Sequence, residues 1–177
     1  MHILRLIRRG WELNEFFAVA ATLLIHEVGH AVAALLCGVP VLGIRARAGG
    51  LSLLCRADAV SYPRAALIYA GGAAANLMTA VIFSREQPLS VFSVGAAVFN
   101  LLPLPGSDGE GILSSLLSFC TASPDIADRV VRSVSDVCVI AIWVAAVYLS
   151  LTGRGGALLL MFAIVMMICR LGEREPR

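Results

Sequence analysis

The segment His26-Glu27-Val28-Gly29-His30 contains the residue types that bind a metal ion and use it. Residues four positions apart on a helix lie on one face, so the two imidazoles can hold one ion between them. Glu27 follows the first histidine and can reach a water molecule at that ion. Zinc accepts neutral imidazoles, and a catalytic zinc site has three protein ligands and one open position. The pattern therefore predicts a hydrolytic centre with Zn²⁺ as cofactor.

The surroundings of this segment strengthen the prediction. It lies inside an otherwise apolar stretch from Phe16 to Cys37, which is long enough to cross a bilayer core of about 30 Å. Ionisable side chains are expensive inside a membrane span, so their presence indicates a function. The alternative is a structural polar cluster that forms hydrogen bonds between helices.

A third ligand must come from elsewhere in the chain, and Asp108 is the best candidate. It follows Pro103 and Pro105 and precedes Gly109, where the backbone can bend and aim a carboxylate. Irregular backbone at membrane depth is tolerated only where it is buried in protein or lines a wet cavity. Two alternatives stay open: Asp108 could cap the helix that begins near Glu110, or Glu110 could be the ligand instead.

The composition places these residues in a membrane protein. Of 177 residues, 59% are hydrophobic and 15% are charged, and the mean hydropathy is +0.86. Average soluble domains have about 25% charged residues, so this chain has too few polar residues to cover a water-exposed surface. Arginine occurs without a basic stripe of interleaved aromatics, which excludes nucleic acid as a partner. The five cysteines form no C-x-x-C pair and are expected to be small buried hydrophobes.

The pattern predicts an all-α polytopic membrane protein with about five transmembrane segments, one of them broken, and a short β-hairpin between the first two. Residues 1–12 form a separate basic amphipathic segment, either an interfacial helix or a short strand. The following apolar stretch exceeds the roughly 7–15 residues of a signal-peptide core, so we expect it to be retained. The elements expected after residue 12 are a helix at 14–37, a hairpin at 41–60, helices at 64–83 and 89–102, a loop and short helix at 103–124, and apolar helices ending at 151 and spanning 156–171.

Three motifs occur in a fixed order along the chain. After H-E-x-x-H comes Gly72-Ala73-Ala74-Ala75-Asn76, and then the pattern N-x-x-P-x-P-x-x-D-G at 100–109. Over roughly residues 14–115 the chain thereby resembles the site-2 protease family of intramembrane zinc metalloproteases. That family has a G-P-x-x-N-like second motif, so Ala73 is a departure. Gly106-Ser107 in place of Pro-Leu, and Glu110 in place of Gly, are others; none removes a ligand.

The resemblance implies the roles of individual residues. The implied zinc ligands are His26, His30 and Asp108. Glu27 would be the general base toward a zinc-activated water and then the general acid toward the leaving amine. The side chains implied near the site, as substrate or oxyanion contacts, are Asn76 and Asn100. For both asparagines, a hydrogen bond between helices is the alternative.

The function implied is that of an intramembrane zinc endopeptidase, which hydrolyses peptide bonds in or near transmembrane segments of protein substrates in regulated intramembrane proteolysis. Residues 13–177 would form a single metalloprotease domain. The chain looks most similar to the small branch resembling the sporulation enzyme that processes a sigma factor. The alternatives are a non-proteolytic metal-binding scaffold or chaperone, and a metal-ion transporter.

The expected partners are a membrane-embedded or membrane-adjacent protein substrate and the lipid bilayer itself. If the segments alternate, more arginines fall on the side of the hairpin and the C-terminus than on the other side. By the positive-inside rule, that side is cytoplasmic. We therefore expect a multi-pass protein of the bacterial cell membrane whose active site opens to the cytoplasm.

Overall fold

The structure is a computed structural model that describes residues 2–47, 50–55, 60–152, 160–161 and 163–167. Residues 160–161 and 163–167 are helical, and the chain divides after Leu101 into two compact units. The elements, in chain order, are α1 (His2–Leu36), β1 (Val41–Arg47), β2 (Gly50–Cys55), α2 (Tyr62–Ile82), α3 (Gln87–Leu101), α4 (Asp108–Thr121) and α5 (Pro124–Leu151).

Three helices in the described part of the chain are long and apolar enough to cross a membrane. They are Leu13–Leu36 within α1, the whole of α2, and the whole of α5. The segment predicted at 89–102 forms α3, whose 15 residues extend only about 22 Å. The segment predicted at 156–171 lies largely outside the described residues. The described chain is therefore mostly helical with three candidate spans, where about five were predicted.

The first helix begins earlier than the sequence predicts. A helix was expected from residue 14 after a separate segment at 1–12, but α1 is continuous from His2. The reason is that residues 2–13 contain no proline, and the single Gly10 costs a helix only about 1 kcal/mol. The helix predicted at 14–37 ends just before Gly38. There the backbone has a φ of +69°, and the N–H of Val39 donates to Ala34 in a Schellman motif.

An antiparallel pair of strands follows α1, in the stretch where the hairpin is predicted. Its register runs from Arg47 opposite Gly50 to Val41 opposite Cys55, with an irregularity between Val41 and Gly43. Since the pair has only two strands, each strand has one edge whose backbone groups are not used in this ladder.

Small residues bring α1 and α2 into backbone contact. A Cβ built on Gly29 would lie 2.5 Å from the carbonyl oxygen of Gly71, and a Cβ on Gly71 would lie 2.6 Å from the carbonyl oxygen of Gly29. Neither distance is possible for a real side chain, so both positions require glycine. Close approach through small residues is how helices associate in lipid, where no hydrophobic force drives them together.

The first unit places small and polar side chains inside and large apolar ones outside. Thr22 on α1 and Ser93 on α3 are buried and share a hydrogen bond of 3.4 Å. Leu24 and Val81, by contrast, are 66% and 76% exposed. Exposed apolar surface on this scale marks contact with a partner or a membrane, and these helices have the length of spans. The outward face therefore suits lipid.

The second unit is built on α4 and α5. The chain turns between them at Ala122, which adopts a left-handed conformation with a φ of 52°, and α5 begins with Pro124 in its first turn. The two helices are in contact, and small side chains are buried on both of them, namely Ser115 and Ser118 on α4 and Ala127 and Ser135 on α5. This packing holds the N-terminal turn of α4, where Asp108 lies.

Candidate metal centre

The face of α1 that packs in the first unit presents His26 and His30 together. Their Nε2 atoms lie 3.2 Å apart, and the two rings stand nearly perpendicular with centroids 4.7 Å apart. Both side chains are more than nine-tenths buried. Spacing of four residues on a helix therefore brings two ring nitrogens to one point, as ligation of a single ion requires.

Helix α2 orients His30 through its backbone. The Nδ1–H of His30 donates to the carbonyl oxygen of Ile68 at 2.8 Å. In a neutral imidazole the other nitrogen then carries a lone pair, and that atom is Nε2, directed at His26. A hydrogen bond of this kind fixes both the tautomer and the ring orientation of a metal-binding histidine.

A second contact from α2 reaches His26. The side chain of Asn76 is fully buried, and its Nδ2 lies 3.2 Å from Nδ1 of His26. Its Oδ1 is also buried and has no hydrogen-bond partner among the described residues. Ile68 and Asn76 lie eight residues apart, about two turns, so one helix contacts both rings.

Gly72 has no side chain, and the two imidazole rings occupy the space that a side chain would fill. A Cβ at this position would lie 2.5 Å from Nε2 of His30 and 2.6 Å from Cε1 of His26. The neighbours are the rings themselves, which are held by other hydrogen bonds and cannot move aside cheaply. Glycine at 72, one turn before Asn76, is thus part of the site although it contributes no side chain.

A tightly bonded turn precedes α4 and presents Asp108. Ser107 is the N-cap of α4, and its Oγ accepts from the N–H of Glu110 at 3.3 Å and from the N–H of Leu104 at 3.1 Å. The same hydroxyl lies 2.6 Å from the carbonyl oxygen of Leu102, to which it donates. Asp108 is the first residue of α4. The alternative that Asp108 caps this helix is therefore wrong, because Ser107 fills that role.

The side chain of Glu110 stabilises this turn through hydrogen bonds. Its Oε2 accepts from the N–H of Gly106 at 2.8 Å, and its Oε1 accepts from the hydroxyl of Ser135 on α5 at 3.4 Å. Gly106 has a φ of +76°, a conformation that glycine adopts without strain. Both oxygens of Glu110 are used within the second unit, which does not favour the alternative that Glu110 is a metal ligand.

Three residues carry side chains that could hold a metal ion. His26 and His30 lie in the first unit, and Asp108 lies in the second. Two imidazole nitrogens and one carboxylate oxygen form a donor set that zinc accepts at catalytic sites, with a fourth position left for water or substrate. The residues present therefore fit a zinc ion.

The other predicted site residues lie on α1 and α3. Glu27 is half-buried and directly follows His26 on α1. The amide nitrogen of Asn100 donates to the carbonyl oxygen of Ala96, one turn earlier on α3, at 3.0 Å. The role of Ile68 is not visible in the sequence, since a backbone carbonyl leaves no signal in the residue type. Gly72 is visible there only as part of a motif, although a glycine one turn before a buried asparagine could have indicated a steric role.

The fold is similar to a solved structure of known type. The site-2 protease from Methanocaldococcus jannaschii superposes with a TM-score of 0.66 over 92% of this chain and 78% of that chain, at 16% sequence identity. No protein-family model matches the chain, and no curated protein matches it significantly. The predicted resemblance is thus confirmed at the level of the fold: the chain has a site-2-protease-like fold.

Proposed function

We propose that the protein is an intramembrane zinc endopeptidase that hydrolyses peptide bonds in or near transmembrane segments of protein substrates. The observation that carries the proposal is the pair of buried imidazoles on His26 and His30, whose Nε2 atoms lie 3.2 Å apart, with Glu27 next to the first of them in the chain. The site-2-protease-like fold and the three candidate spans support a protease of the membrane. Such an enzyme would act in regulated intramembrane proteolysis.

The two histidines and Asp108 would hold the ion. A bound zinc would act as a Lewis acid that polarises water and the scissile carbonyl. The protein supplies the orientation of the rings, through the Ile68 carbonyl on His30 and the Asn76 amide on His26. Both rings are more than nine-tenths buried, which limits competition from bulk water.

Glu27 moves the proton. Its carboxylate accepts a proton from the attacking water and then delivers it to the nitrogen of the leaving amine. Glu27 is half-buried and directly follows His26 on α1, which supports this role. The proposal assigns catalysis to Glu27 and binding of the ion to the other three residues.

Negative charge develops on the carbonyl oxygen of the substrate and needs a hydrogen-bond donor. An asparagine amide has two N–H groups, and Asn100 uses one of them on the Ala96 carbonyl. The second is available to a substrate oxygen. Asn76 was predicted for the same contact, but its amide is directed at His26. We therefore assign the substrate contact to Asn100.

A substrate helix must unwind before its peptide bonds can be attacked, because its amides are hydrogen-bonded internally. The β1–β2 pair offers an edge on which an unwound segment could add as an extra strand. Replacing Ala46, which pairs with Leu51, by proline removes a backbone donor and disturbs the ladder. Ala46→Pro should lower the cleavage rate while the zinc content stays at the wild-type level. Full cleavage activity in this variant would refute the role of the strand edge.

Removing Asp108 tests the metal site itself. Asp108→Ala should weaken zinc binding by more than about 100-fold, since even loss of an outer contact to a ligand typically costs about 10–100-fold. The measurement is zinc affinity of the purified full-length protein by chelator competition, together with metal analysis.

Asp125 provides a matched control for this experiment. It is also an aspartate in the first turn of its helix, and its side chain is exposed. Asp125→Ala should bind zinc as the wild type does. If Asp108→Ala also retains wild-type affinity, the third ligand is another residue and the proposed centre is wrong.

We propose a multi-pass location in the bacterial cell membrane with the site open to the cytoplasm. The three candidate spans support the membrane location, and the distribution of arginine supports the orientation. The narrower resemblance to the sporulation branch stays a prediction from the sequence.

A further inference from the structure

The side-chain amide of Asn76 is buried, and only its nitrogen contacts a hydrogen-bond partner among the described residues. Its Nδ2 lies 3.2 Å from Nδ1 of His26, while its Oδ1 is buried without a hydrogen-bond partner among the described residues. A buried carbonyl oxygen without a hydrogen bond is energetically costly, because its lost contacts with water are not replaced. An apolar residue of similar size would avoid this cost, so the oxygen invites a functional explanation.

The observed contacts define a directional chain of hydrogen bonds. Asn76 Nδ2–H donates to Nδ1 of His26, which places the proton of a neutral His26 on Nε2. His26 Nε2–H then donates to Nε2 of His30 at 3.2 Å, and His30 Nδ1–H donates to the Ile68 carbonyl at 2.8 Å. These three contacts are consistent with one neutral tautomer of each ring.

Binding of a zinc ion through Nε2 of His26 requires the opposite tautomer. The lone pair of Nε2 must face the ion, so the proton of the neutral ring must lie on Nδ1. Nδ1 then becomes a donor, and the Nδ2–H of Asn76 can no longer face it. A half-turn of the amide about its terminal bond exchanges the two edges and brings Oδ1 against Nδ1–H.

We propose that Asn76 is a positioning residue that serves both tautomers of His26. Its nitrogen edge donates to Nδ1 when Nε2 carries the proton, and its oxygen edge accepts from Nδ1–H when Nε2 binds zinc. The ring stays neutral throughout, and the proton only changes its place between the two ring nitrogens. The inference rests on the proposed zinc site, and it replaces the predicted substrate contact for Asn76.

The amide of Asn76 differs from a carboxylate in what it can offer His26. An amide has both a donor and an acceptor, whereas an ionised carboxylate has acceptors alone. The position therefore suits an amide, whereas a carboxylate would serve only the zinc-binding tautomer.

Two substitutions distinguish the effect of the hydrogen-bond acceptor on Asn76 from the effect of side-chain size. Asn76→Asp keeps an oxygen acceptor for Nδ1–H and loses the donor, whereas Asn76→Leu has similar size and neither group. In full-length purified protein, Asn76→Leu should weaken zinc binding by about 10–100-fold, as loss of an outer contact to a ligand does. Asn76→Asp should bind zinc at least as tightly as the wild type. Wild-type affinity in the leucine variant, or equal losses in both variants, would overturn the proposal.

The tautomer itself can be read from ¹⁵N spectra of histidine-labelled wild-type protein, which needs no variant to fold. The chain has three histidines, and the response to zinc distinguishes the signals of His26 and His30 from those of His2. We expect the His26 proton on Nε2 before zinc is added and on Nδ1 afterwards. A proton on Nδ1 in both samples would overturn the two-edged role. A wild-type protein that binds no zinc would instead overturn the proposed function, and the spectrum without zinc would still test the hydrogen-bond chain.

Discussion

Replacing Glu27 with glutamine should lower the rate of substrate cleavage by about 10²–10⁴-fold, the contribution that general acid–base catalysis usually makes. The amide has nearly the same shape as the carboxylate but cannot take a proton from water. Glu27 is assigned no role as a ligand, so the variant should still bind zinc as the wild type does. Both quantities can be measured on the purified full-length protein, with a single-pass membrane protein as substrate and metal analysis of the same sample.

Glu86 provides the control, since it is an exposed glutamate in the turn between α2 and α3. Glu86→Gln should cleave at the wild-type rate. If Glu27→Gln also cleaves at that rate, Glu27 is not the base. If the variant loses its zinc, Glu27 acts on metal binding instead. If a cellular function survives in Glu27→Gln, the non-proteolytic scaffold or chaperone becomes the better hypothesis.

Replacing Gly72 with alanine should abolish zinc binding and cleavage together. The added methyl group would lie 2.5 Å from Nε2 of His30, the atom proposed to bind the ion, and 2.6 Å from a carbon of the His26 ring. At least one ring must then leave its place, so we expect zinc affinity to fall by more than the about 100-fold upper range for loss of an outer contact. Zinc affinity and thermal unfolding of the same preparation separate a local effect from loss of the fold.

Gly95 on α3 is the matched control, because a Cβ built there meets no atom within 4 Å. Gly95→Ala should keep zinc affinity and cleavage, and should stabilise α3 by up to about 1 kcal/mol through its better helix propensity. Wild-type zinc affinity in Gly72→Ala would mean that the two rings do not bind the ion in the positions described.

The part of the site that lies on one helix could be predicted from the sequence. The spacing of His26 and His30 determines their shared face wherever the helix forms, since helical geometry is the same in every protein. The composition of the same stretch also predicts a helix of spanning length, and α1 contains one. Local patterns of this kind need no knowledge of tertiary packing.

The part that depends on packing could not be predicted in this way. That Ser107 caps α4, and Asp108 does not, follows from bonds between Ser107 and the backbone of Leu102 and Leu104. The residue types at 107 and 108 are both good caps, so propensity alone does not decide between them. The orientation of His30 depends on the backbone of Ile68, where any residue would supply the same carbonyl.

The contact of Gly29 with Gly71 gives the two helices a pivot at the depth of the histidines. Gly29 directly precedes His30, so the backbones of α1 and α2 approach closely beside the rings. Membrane helices change their tilt as the bilayer thickens or thins. A change of tilt about this pivot should therefore displace the N-terminal end of the 35-residue helix most and the two imidazole rings least.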